Sequence, residues 1–376
     1  LFRYANDAVL SVLKFTEEGS RFVFGDLVDK EKSGFIIAFQ VLPIIIFMSS
    51  LMAVLYHLGI MQKVVGAFAF VMQKVLNVSG AESLSASANI FFGQTEAPLV
   101  VRPFIGRMTD SELFCVMVGG MATVAGSVLG AFTVLLKGKI PDIAGHLLTA
   151  SVLSAPAALV YAKILLPETG KPETLGEVPE EYKKNKIDTN LIEAVARGAG
   201  EGLSLALNVA AMLIAFIAVI ALLDTAFKSV GELMNFASWG TFLVPHQLLA
   251  AGQPAELSIS LIFGWLFAPI AWLMGINWGD APLAGVLLGQ KIVLNEFVAY
   301  LNLTKVMSEL SDRTVIILSY ALCGFANFSS IGIQIGGIGG LAPNRKSDLA
   351  RLGIKSVIGG SLAAFTTAAI AGLLIA

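Results

Sequence analysis

The sequence predicts an all-α polytopic membrane protein built from two inverted repeats, and three observations support this fold class. First, 56% of the 376 residues are hydrophobic and 14% are charged, with a mean hydropathy of +0.79. Soluble domains carry about 25% charged residues. Second, long apolar segments match the roughly 20 residues that a helix needs to cross a bilayer. Third, these segments recur in the same order in two halves of the chain, on either side of a charged stretch.

Residues 1–33 precede the first predicted span and mix apolar with charged side chains. Between Tyr4 and Phe15 the apolar residues follow the spacing of one helical face. A helix with one apolar face is suited to lie along a membrane surface. We therefore predict that residues 1–33 form an interfacial amphipathic segment.

The first repeat is predicted to cover residues 34–166. Apolar runs of spanning length alternate in it with shorter ones, and Lys63 and Lys74 place one short run at the membrane surface. The predicted elements are a span at 34–58, a surface helix at 61–76, a hairpin at 80–104 and spans at 109–136 and 143–166.

The segment 80–104 is apolar, but serine, asparagine, glutamine and glutamate residues interrupt it. We interpret it as a re-entrant helical hairpin whose tip runs from Gly93 to Pro98. Irregular backbone at membrane depth is tolerated only where protein or a water-filled cavity covers it. The hairpin tip is therefore expected to lie inside the protein.

A linker, residues 167–202, separates the halves, and its charged part at 167–199 contains three prolines and a run of glutamate and lysine at 180–184. The second repeat, residues 203–376, follows the order of the first. Its predicted elements are a span at 203–224, a surface helix at 257–275, a hairpin at 279–304 and spans at 314–341 and 349–376. Each half has three crossings, and an odd number inverts the second copy in the membrane.

Lysine and arginine residues set the predicted orientation, because cytoplasmic loops are enriched in them. The linker and the loops on its side of the core carry more of these residues than the opposite loops do. We therefore place the linker in the cytoplasm, although the basic residues of segment 1–33 then lie outside.

Two acidic residues lie within apolar sequence, in settings that resemble each other. Glu96 and Glu296 each fall in a predicted hairpin, and about 30 residues after each one small and polar residues break a long apolar helix, at 122–126 and 324–330. A carboxylate in hydrocarbon costs several kcal/mol and usually serves a ligand or an ion. Two such sites beside broken helices are typical of a repeat-built secondary transporter with a midplane site.

The tripeptide Gln94-Thr95-Glu96 offers an amide, a hydroxyl and a carboxylate at the first predicted tip. The amide both donates and accepts, which suits a small neutral solute with hydrogen-bonding groups. The alternative is a tip held together by its own polar groups, but that arrangement needs no carboxylate.

In the second half, Asn327 and Ser330 lie at the helix break and are expected to face Glu296. An ionised carboxylate accepts two hydrogen bonds at once, which suits sugar hydroxyls. Phe325 is placed to cover a ring, or serves packing alone.

An oxygen-rich set surrounds the first helix break: Asn89, Thr123 and the carbonyls near Phe92 and Val124. Unwound helices supply carbonyl ligands for sodium. Hydrogen bonding between helices explains Asn89 and Thr123 equally well.

Three ordered motifs make the sequence resemble the bacterial branch of the concentrative nucleoside transporters. They are Gly93-Gln94-Thr95-Glu96-Ala97-Pro98-Leu99, Asn295-Glu296-Phe297-Val298-Ala299-Tyr300 and Cys323-Gly324-Phe325-Ala326-Asn327-Phe328-Ser329-Ser330. The similarity runs from about residue 20 to the C-terminus. Bacterial members usually begin with two further spans, so we expect an N-terminal piece to precede this chain.

The resemblance implies a homotrimer in which a scaffold domain trimerises and a transport domain, made of two hairpins and two unwound helices, moves past it. By motif position it assigns the base contacts to Gln94, Thr95, Glu96 and Val128. It assigns the ribose hydroxyls to Glu296, Asn327 and Ser330, with Phe325 nearby. It assigns sodium to Asn89, Thr123 and the carbonyls of Phe92 and Val124, and many members have serine in place of Thr123.

The implied function is symport of a nucleoside such as uridine with sodium into the cell, by an elevator mechanism. Sodium is the expected coupling ion, with a proton as the alternative, and no organic cofactor is expected. The expected partners are the nucleoside, the lipid bilayer and two further copies of the chain, but no nucleic acid polymer. The expected location is the inner membrane of a bacterium.

Two other classes fit the sequence less well. An intramembrane enzyme with Glu96 and Glu296 as an acid pair does not explain the inverted halves, and the sequence lacks a metal cluster or a nucleophile–base pair. A channel needs a pore-lining ring, not two hairpins. We therefore predict a transporter and not an enzyme.

Overall fold

The computed structural model describes residues 2–137, 140–179, 188–240, 244 and 255–375. The helices of the first half are α1 (Phe2–Phe24), α2 (Lys30–Ser33), α3 (Ile37–Gln40), α4 (Leu42–His57), α5 (Ile60–Leu76), α6 (Gly80–Asn89), α7 (Arg102–Ile105), α8 (Asp110–Ala122), α9 (Gly126–Leu136) and α10 (Ile143–Leu165). Those of the second half are α11 (Leu191–Leu233), α12 (Phe236–Trp239), α13 (Ile259–Leu273), α14 (Ala281–Val293), α15 (Glu296–Val306), α16 (Asp312–Ala321), α17 (Phe328–Leu341) and α18 (Lys346–Leu374). Short 3-10 turns lie at Gly25–Val28, Ala97–Val101, Met307–Glu309 and Pro343–Arg345.

Several helical stretches are long and apolar enough to cross a membrane. Within the described ranges there are five: Ile37–His57, Asp110–Leu136, Ile143–Leu165, Leu191–Leu233 and Pro343–Leu374. Helices α13, α14 and α17 are apolar but shorter. The prediction of an all-α polytopic membrane protein is confirmed, whereas the inverted relation of the two halves stays a prediction.

The two hairpins differ in their second arms. In the first, α6 begins at a capping box between Ser79 and Glu82, and a 3-10 turn and the four-residue α7 follow the tip. Pro98 and Pro103 interrupt that arm, since proline removes a backbone donor and disrupts a continuing helix. In the second hairpin both arms are α-helices, and Asn295 caps α15 by accepting a hydrogen bond from Val298 N at 2.9 Å.

Two long apolar segments are broken in their middle. Helix α8 ends at Ala122 and α9 begins at Gly126, while α16 ends at Ala321 and α17 begins at Phe328. Each break leaves backbone carbonyls at the C-terminal end of a half-helix without a partner in the helix. Both breaks therefore expose polar backbone in the interior of the protein.

The predicted linker boundary at residue 202 is wrong. Helix α11 already begins at Leu191, where Asn190 accepts a hydrogen bond from Glu193 N at 2.9 Å. Within its first turns Arg197 pairs with Glu201 one turn later, at 2.9 Å, and such a pair adds about 0.2–0.5 kcal/mol to helix stability. The predicted span 203–224 is thus the central part of a 43-residue helix. Residues 180–187 of the predicted linker lie outside the described residues.

Helix α1 extends beyond the apolar run between residues 4 and 15 and continues to Phe24. Its Leu13 is buried against Ile44 and Met48 of α4. This contact joins the N-terminal segment to the first span. Whether the segment lies in the membrane interface stays a prediction.

An aromatic cluster joins α9 to the second hairpin. The rings of Phe132 on α9 and Tyr300 on α15 lie 4.5 Å apart, and Phe297 lies 5.5 Å from Phe132. All three residues are buried. Packing of this kind joins the helix after the first break to the second hairpin.

Helices α4 and α11 pack along each other, and glycines make the close approach possible. A Cβ on Gly202 would lie 2.7 Å from Ile46 Cα, and one on Gly198 would lie 2.7 Å from Ser50 Cα. These distances are shorter than van der Waals contact, so the helices touch through their backbones.

Gly202→Ala is expected to destabilise the protein by about 1–3 kcal/mol, because the added methyl group overpacks a backbone contact. Gly200→Ala on the same helix is the matched control, since no atom lies within 4 Å of a Cβ there. Alanine also favours the helix at that position. Thermal melting of the purified protein in detergent measures both effects, and equal melting temperatures would contradict the close packing.

Candidate functional site

The first hairpin and the two helix breaks meet inside the protein. Gly126 N, just after the first break, donates to Phe91 O of the hairpin at 2.9 Å. Phe325 N of the second break donates to Thr123 O of the first at 3.3 Å. Gly324 has φ +140°, and a Cβ there would lie 2.8 Å from Ala122 O. Glycine is therefore required at this crossing, by conformation and by space.

A cavity of about 460 Å³ lies between the two hairpins, the breaks and α11. This volume is in the range of small-molecule sites, about 300–1,000 Å³. All eight predicted substrate residues line it: Gln94, Thr95, Glu96, Val128, Glu296, Phe325, Asn327 and Ser330. The fold thus brings together residues from four separate segments of the chain.

One wall of the cavity is organised by Asn327, the N-cap of α17. Its Oδ1 accepts a hydrogen bond from Ser330 N at 2.9 Å, and its Nδ2 donates to Glu296 Oε2 at 3.0 Å. Glu296 is 6% exposed, and its described side-chain hydrogen bond leaves the other carboxylate oxygen available to donors. The wall therefore presents a carboxylate acceptor next to an amide and a hydroxyl.

A second wall, which adjoins the first, is the first hairpin tip. Gln94 Nε2 donates to Ser330 Oγ at 3.0 Å, while the buried Gln94 Oε1 has no partner in the described part of the chain. Glu96 Oε2 accepts from Gly93 N at 3.4 Å. Thr95 packs against Gly337, where a Cβ would lie 2.5 Å from its Cγ2. A buried acceptor without a donor is unusual and indicates a ligand or water partner.

The predicted ion residues lie apart from the cavity lining. Asn89 is fully buried, and its Nδ2 donates to Ser85 O at 3.0 Å while its Oδ1 has no partner among the described residues. Thr123 Oγ1 donates to Gly119 O at 2.9 Å, and a Cβ on Gly119 would lie 3.1 Å from Asn89 Nδ2. Asn89 and Thr123 therefore share one neighbour, and an unpaired amide oxygen there suits a cation.

The other two ion residues, Phe92 and Val124, follow on the same two segments. The backbone bond between Gly126 and Phe91 holds these segments together at the break. The residues present fit an oxygen-coordinated monovalent cation, with Asn89 Oδ1 as the observation that favours it.

Sequence reasoning missed the wall that α11 contributes. Six residues of this helix line the cavity in a single stripe: Glu201, Ser204, Leu205, Asn208, Val209 and Met212. Their spacing of three and four positions is that of one helical face. The polar members of this stripe, within an otherwise apolar span, were a signal that the sequence offered.

Comparisons with known proteins place this site in context. A family profile described as "Na+ dependent nucleoside transporter C-terminus" matches residues 146–372, and one described as "Nucleoside recognition" matches residues 38–139. An uncharacterized transporter of Haemophilus influenzae is 47% identical over 99% of this chain and 84% of its own length. The mouse sodium/nucleoside cotransporter 1 is 39% identical over 99% of this chain and 56% of its own length.

Solved structures agree with these relatives. CNTnw in an inward-facing substrate-bound state matches with a TM-score of 0.87 and 43% identity, over 99% of this chain and 84% of that chain. The matched family consists of transporters rather than enzymes. The chain is therefore a multi-pass helical membrane protein that belongs to the concentrative nucleoside transporter family.

Proposed function

We propose that this protein is a sodium-coupled symporter that carries uridine-like nucleosides into a bacterial cell across its inner membrane. One observation carries the proposal: a single cavity collects all eight residues that the motifs assign to the nucleoside. The family description and the mouse relative's name, both of which include sodium, support the choice of ion.

Base recognition is proposed for the first hairpin tip. The unpartnered Gln94 Oε1 suits an N–H donor of the base, and the Gln94 amide nitrogen supplies a donor for a carbonyl. Thr95 and Glu96 add a hydroxyl and a carboxylate beside it, and the buried Val128 provides an apolar surface for the ring. A nucleobase has both kinds of hydrogen-bonding group on one edge, so this wall matches it.

Ribose recognition is proposed for the wall that Asn327 organises. Glu296 accepts hydrogen bonds from hydroxyl groups, and Asn327 holds its carboxylate in place at 3.0 Å. Ser330 provides a hydroxyl at the start of α17, and Phe325 covers one side of the sugar. Charge-assisted bonds of this kind are about twice as strong as neutral ones.

Sodium binding is proposed at Asn89 and Thr123, with carbonyls of Phe92 and Val124. Asn89 and Phe92 lie directly before the tip residues that contact the base. An ion that orders this segment also orders Gln94 and its neighbours. Sodium and nucleoside are then required by linkage to raise each other's affinity by the same factor.

Uridine binding and uptake in proteoliposomes test the function. The expected result is accumulation of radiolabelled uridine driven by an inward sodium gradient, with no chemical conversion. If the affinity for uridine is the same in sodium and in choline but rises in acid, the coupling ion is a proton and not sodium. Passage of uridine across the membrane without accumulation driven by sodium would indicate a channel.

Thr123→Val is expected to remove most of the sodium effect on uridine affinity, because the hydroxyl is lost where the ion is proposed to bind. Couplings of this kind are typically about 5–150-fold. Thr133→Val is the matched control, since Thr133 is equally buried on α9 and donates to Leu129 O at 2.9 Å, away from the break. Titrations of uridine in sodium and in choline measure the coupling. Full coupling in Thr123→Val would place the ion elsewhere.

A homotrimer with an elevator mechanism is also proposed. The membership of the chain in the concentrative nucleoside transporter family supports this arrangement, and α11, which is apolar and largely exposed in a single copy, offers a face that a neighbouring copy or lipid covers. Mass measurement of the protein in native detergent or lipid particles tests the trimer. A monomeric mass in active preparations would contradict it.

A further inference from the structure

A lysine is buried in the second hairpin, close to the substrate wall. Lys291 on α14 is 0% exposed, and its Nζ donates to Ala321 O at 2.9 Å. Its ammonium also lies 5.6 Å from the centre of the Phe365 ring. An ionised residue inside a membrane protein is costly and normally serves a function with a definable partner.

The ammonium occupies the C-terminal end of a broken helix. Ala321 is the last residue of α16, so its carbonyl is among those that the helix itself leaves without a partner. The C-terminal end of a helix carries partial negative charge and attracts cations. In membrane transporters the same kind of end, at an unwound helix, coordinates coupling ions.

The first half shows the same arrangement without a lysine. Its break follows Ala122 at the end of α8, where Thr123 and Asn89 share Gly119 as a neighbour. Lys291 precedes Glu296 by five positions, and the residue five positions before Glu96 is Phe91. Phe91 contributes its carbonyl, which accepts from Gly126 N, and carries no charge. Near its break the first half thus has an unpaired amide oxygen, whereas the second half has an ammonium bonded to the end of its half-helix.

Lys291 offsets the negative charge of Glu296 without forming a hydrogen bond to its carboxylate. Both side chains are buried, five positions apart across the tip of the second hairpin, and among the described contacts Lys291 bonds to Ala321 O and Glu296 to Asn327 rather than to each other. Glu296 instead accepts from Asn327 and faces the cavity. A positive charge in the same hairpin thus stabilises the carboxylate, while the oxygen that Asn327 does not bind stays open to ligand donors.

We propose that Lys291 is a positioning residue that acts as a built-in cation. Its ammonium plays at the second helix break the part that the coupling ion plays at the first break. This inference rests on the proposed function, since it assigns the ion to the first break. It follows that the second half recruits no ion from solution and that one ion is coupled to each nucleoside.

The charges of the loaded site then balance. With both hairpin carboxylates ionised, Glu96 and Glu296 contribute two negative charges, Lys291 contributes one positive charge, and one bound monovalent cation supplies the other. The third carboxylate of the cavity, Glu201, is paired with Arg197 at 2.9 Å. A neutral site crosses a low-dielectric membrane at lower cost than a charged one.

A double-mutant cycle of Lys291→Met with Glu296→Gln tests the charge compensation by thermal melting, without any transport. Lys291→Met alone is expected to lower the melting temperature by about 5–10 °C, because it leaves a buried carboxylate uncompensated. In the Glu296→Gln background the same change is expected to cost much less. Lys305→Met, an exposed lysine on α15, is the control and should melt like the wild type.

An equal loss in both backgrounds would overturn the proposal, since it would show that Lys291 only caps Ala321. If Lys291→Met fails to fold while the double variant folds, the compensation is supported. Failure of both variants beside a stable Glu296→Gln would also overturn it.

The sodium dependence of uridine binding provides the second readout. The wild type is expected to show a Hill coefficient of about 1 for sodium, whereas Lys291→Ser, which vacates the second break, is expected to approach 2. A coefficient that stays near 1 in Lys291→Ser would show that a solution ion does not replace the ammonium. If uridine binding by the wild type does not depend on sodium, the proposed function is contradicted. The result of the double-mutant melting cycle does not depend on that outcome.

Discussion

Glu296→Gln is expected to weaken uridine binding by about 10- to 150-fold. Loss of a hydrogen bond to a charged group costs about 1.5–3 kcal/mol, which corresponds to this range of affinity. The substitution keeps the shape of the side chain and one oxygen that can accept from Asn327. In the wild type, Asn327 Nδ2 donates to Glu296 Oε2 at 3.0 Å. What is lost is the charged acceptor for sugar hydroxyls. Calorimetric titration of the purified protein in saturating sodium measures the change.

The control for this prediction is a second ligand that lacks the ribose hydroxyls. Binding of 2′,3′-dideoxyuridine, which lacks the two hydroxyls, should change much less in Glu296→Gln than binding of uridine. Equal losses for both ligands would place the ribose away from Glu296. Melting curves recorded with each titration separate lost affinity from lost folding.

A disulfide between the first hairpin and α11 is expected to abolish uridine uptake. Leu99 of the hairpin and Glu201 of α11 both line the 460 Å³ cavity, on either side of the proposed boundary of the moving domain. The pair Leu99→Cys and Glu201→Cys is introduced with Cys115→Ala and Cys323→Ala, which remove the buried free thiols. If the site travels by about 10 Å, roughly a third of the hydrocarbon core, a covalent link across this boundary blocks every cycle.

Reduction is the internal control for the crosslink. Uptake by the crosslinked protein in proteoliposomes should return to that of the single-cysteine variants after the disulfide is reduced. Crosslinked protein that accumulates uridine at the uncrosslinked rate would show that the first hairpin does not move past α11. Local gating or a rocking motion would then replace the elevator.

Much of the cavity lining was predictable because the residues that form it lie in short, ordered motifs. Gln94, Thr95 and Glu96 are consecutive, and Asn327 and Ser330 are separated by one helical turn, so local sequence places each group. The helix breaks were equally local, since small and polar residues interrupt long apolar runs. The hydrogen bond from Gln94 to Ser330 was not predictable, because it joins residues from opposite halves of the chain.

The linker boundary shows where local reading failed. Charged residues before residue 203 resemble a solvated loop, yet those from residue 191 onward belong to α11, where Arg197 pairs with Asp188 at 2.7 Å and with Glu201 at 2.9 Å. The first of these pairs links the helix to the residues that precede it. A count of charges along the chain does not reveal such pairing.

By itself, the sequence determined the membrane class, the hairpins, the two breaks and the identity of the polar groups within apolar segments, because each depends on composition or on neighbours in the chain. Only the tertiary structure decided that α11 lines the cavity and that the ammonium of Lys291 caps the second break while Glu296 bonds to Asn327 at the cavity wall. The physical reason is that burial, charge compensation and a shared cavity depend on distances between segments, and the packing of the helices sets those distances.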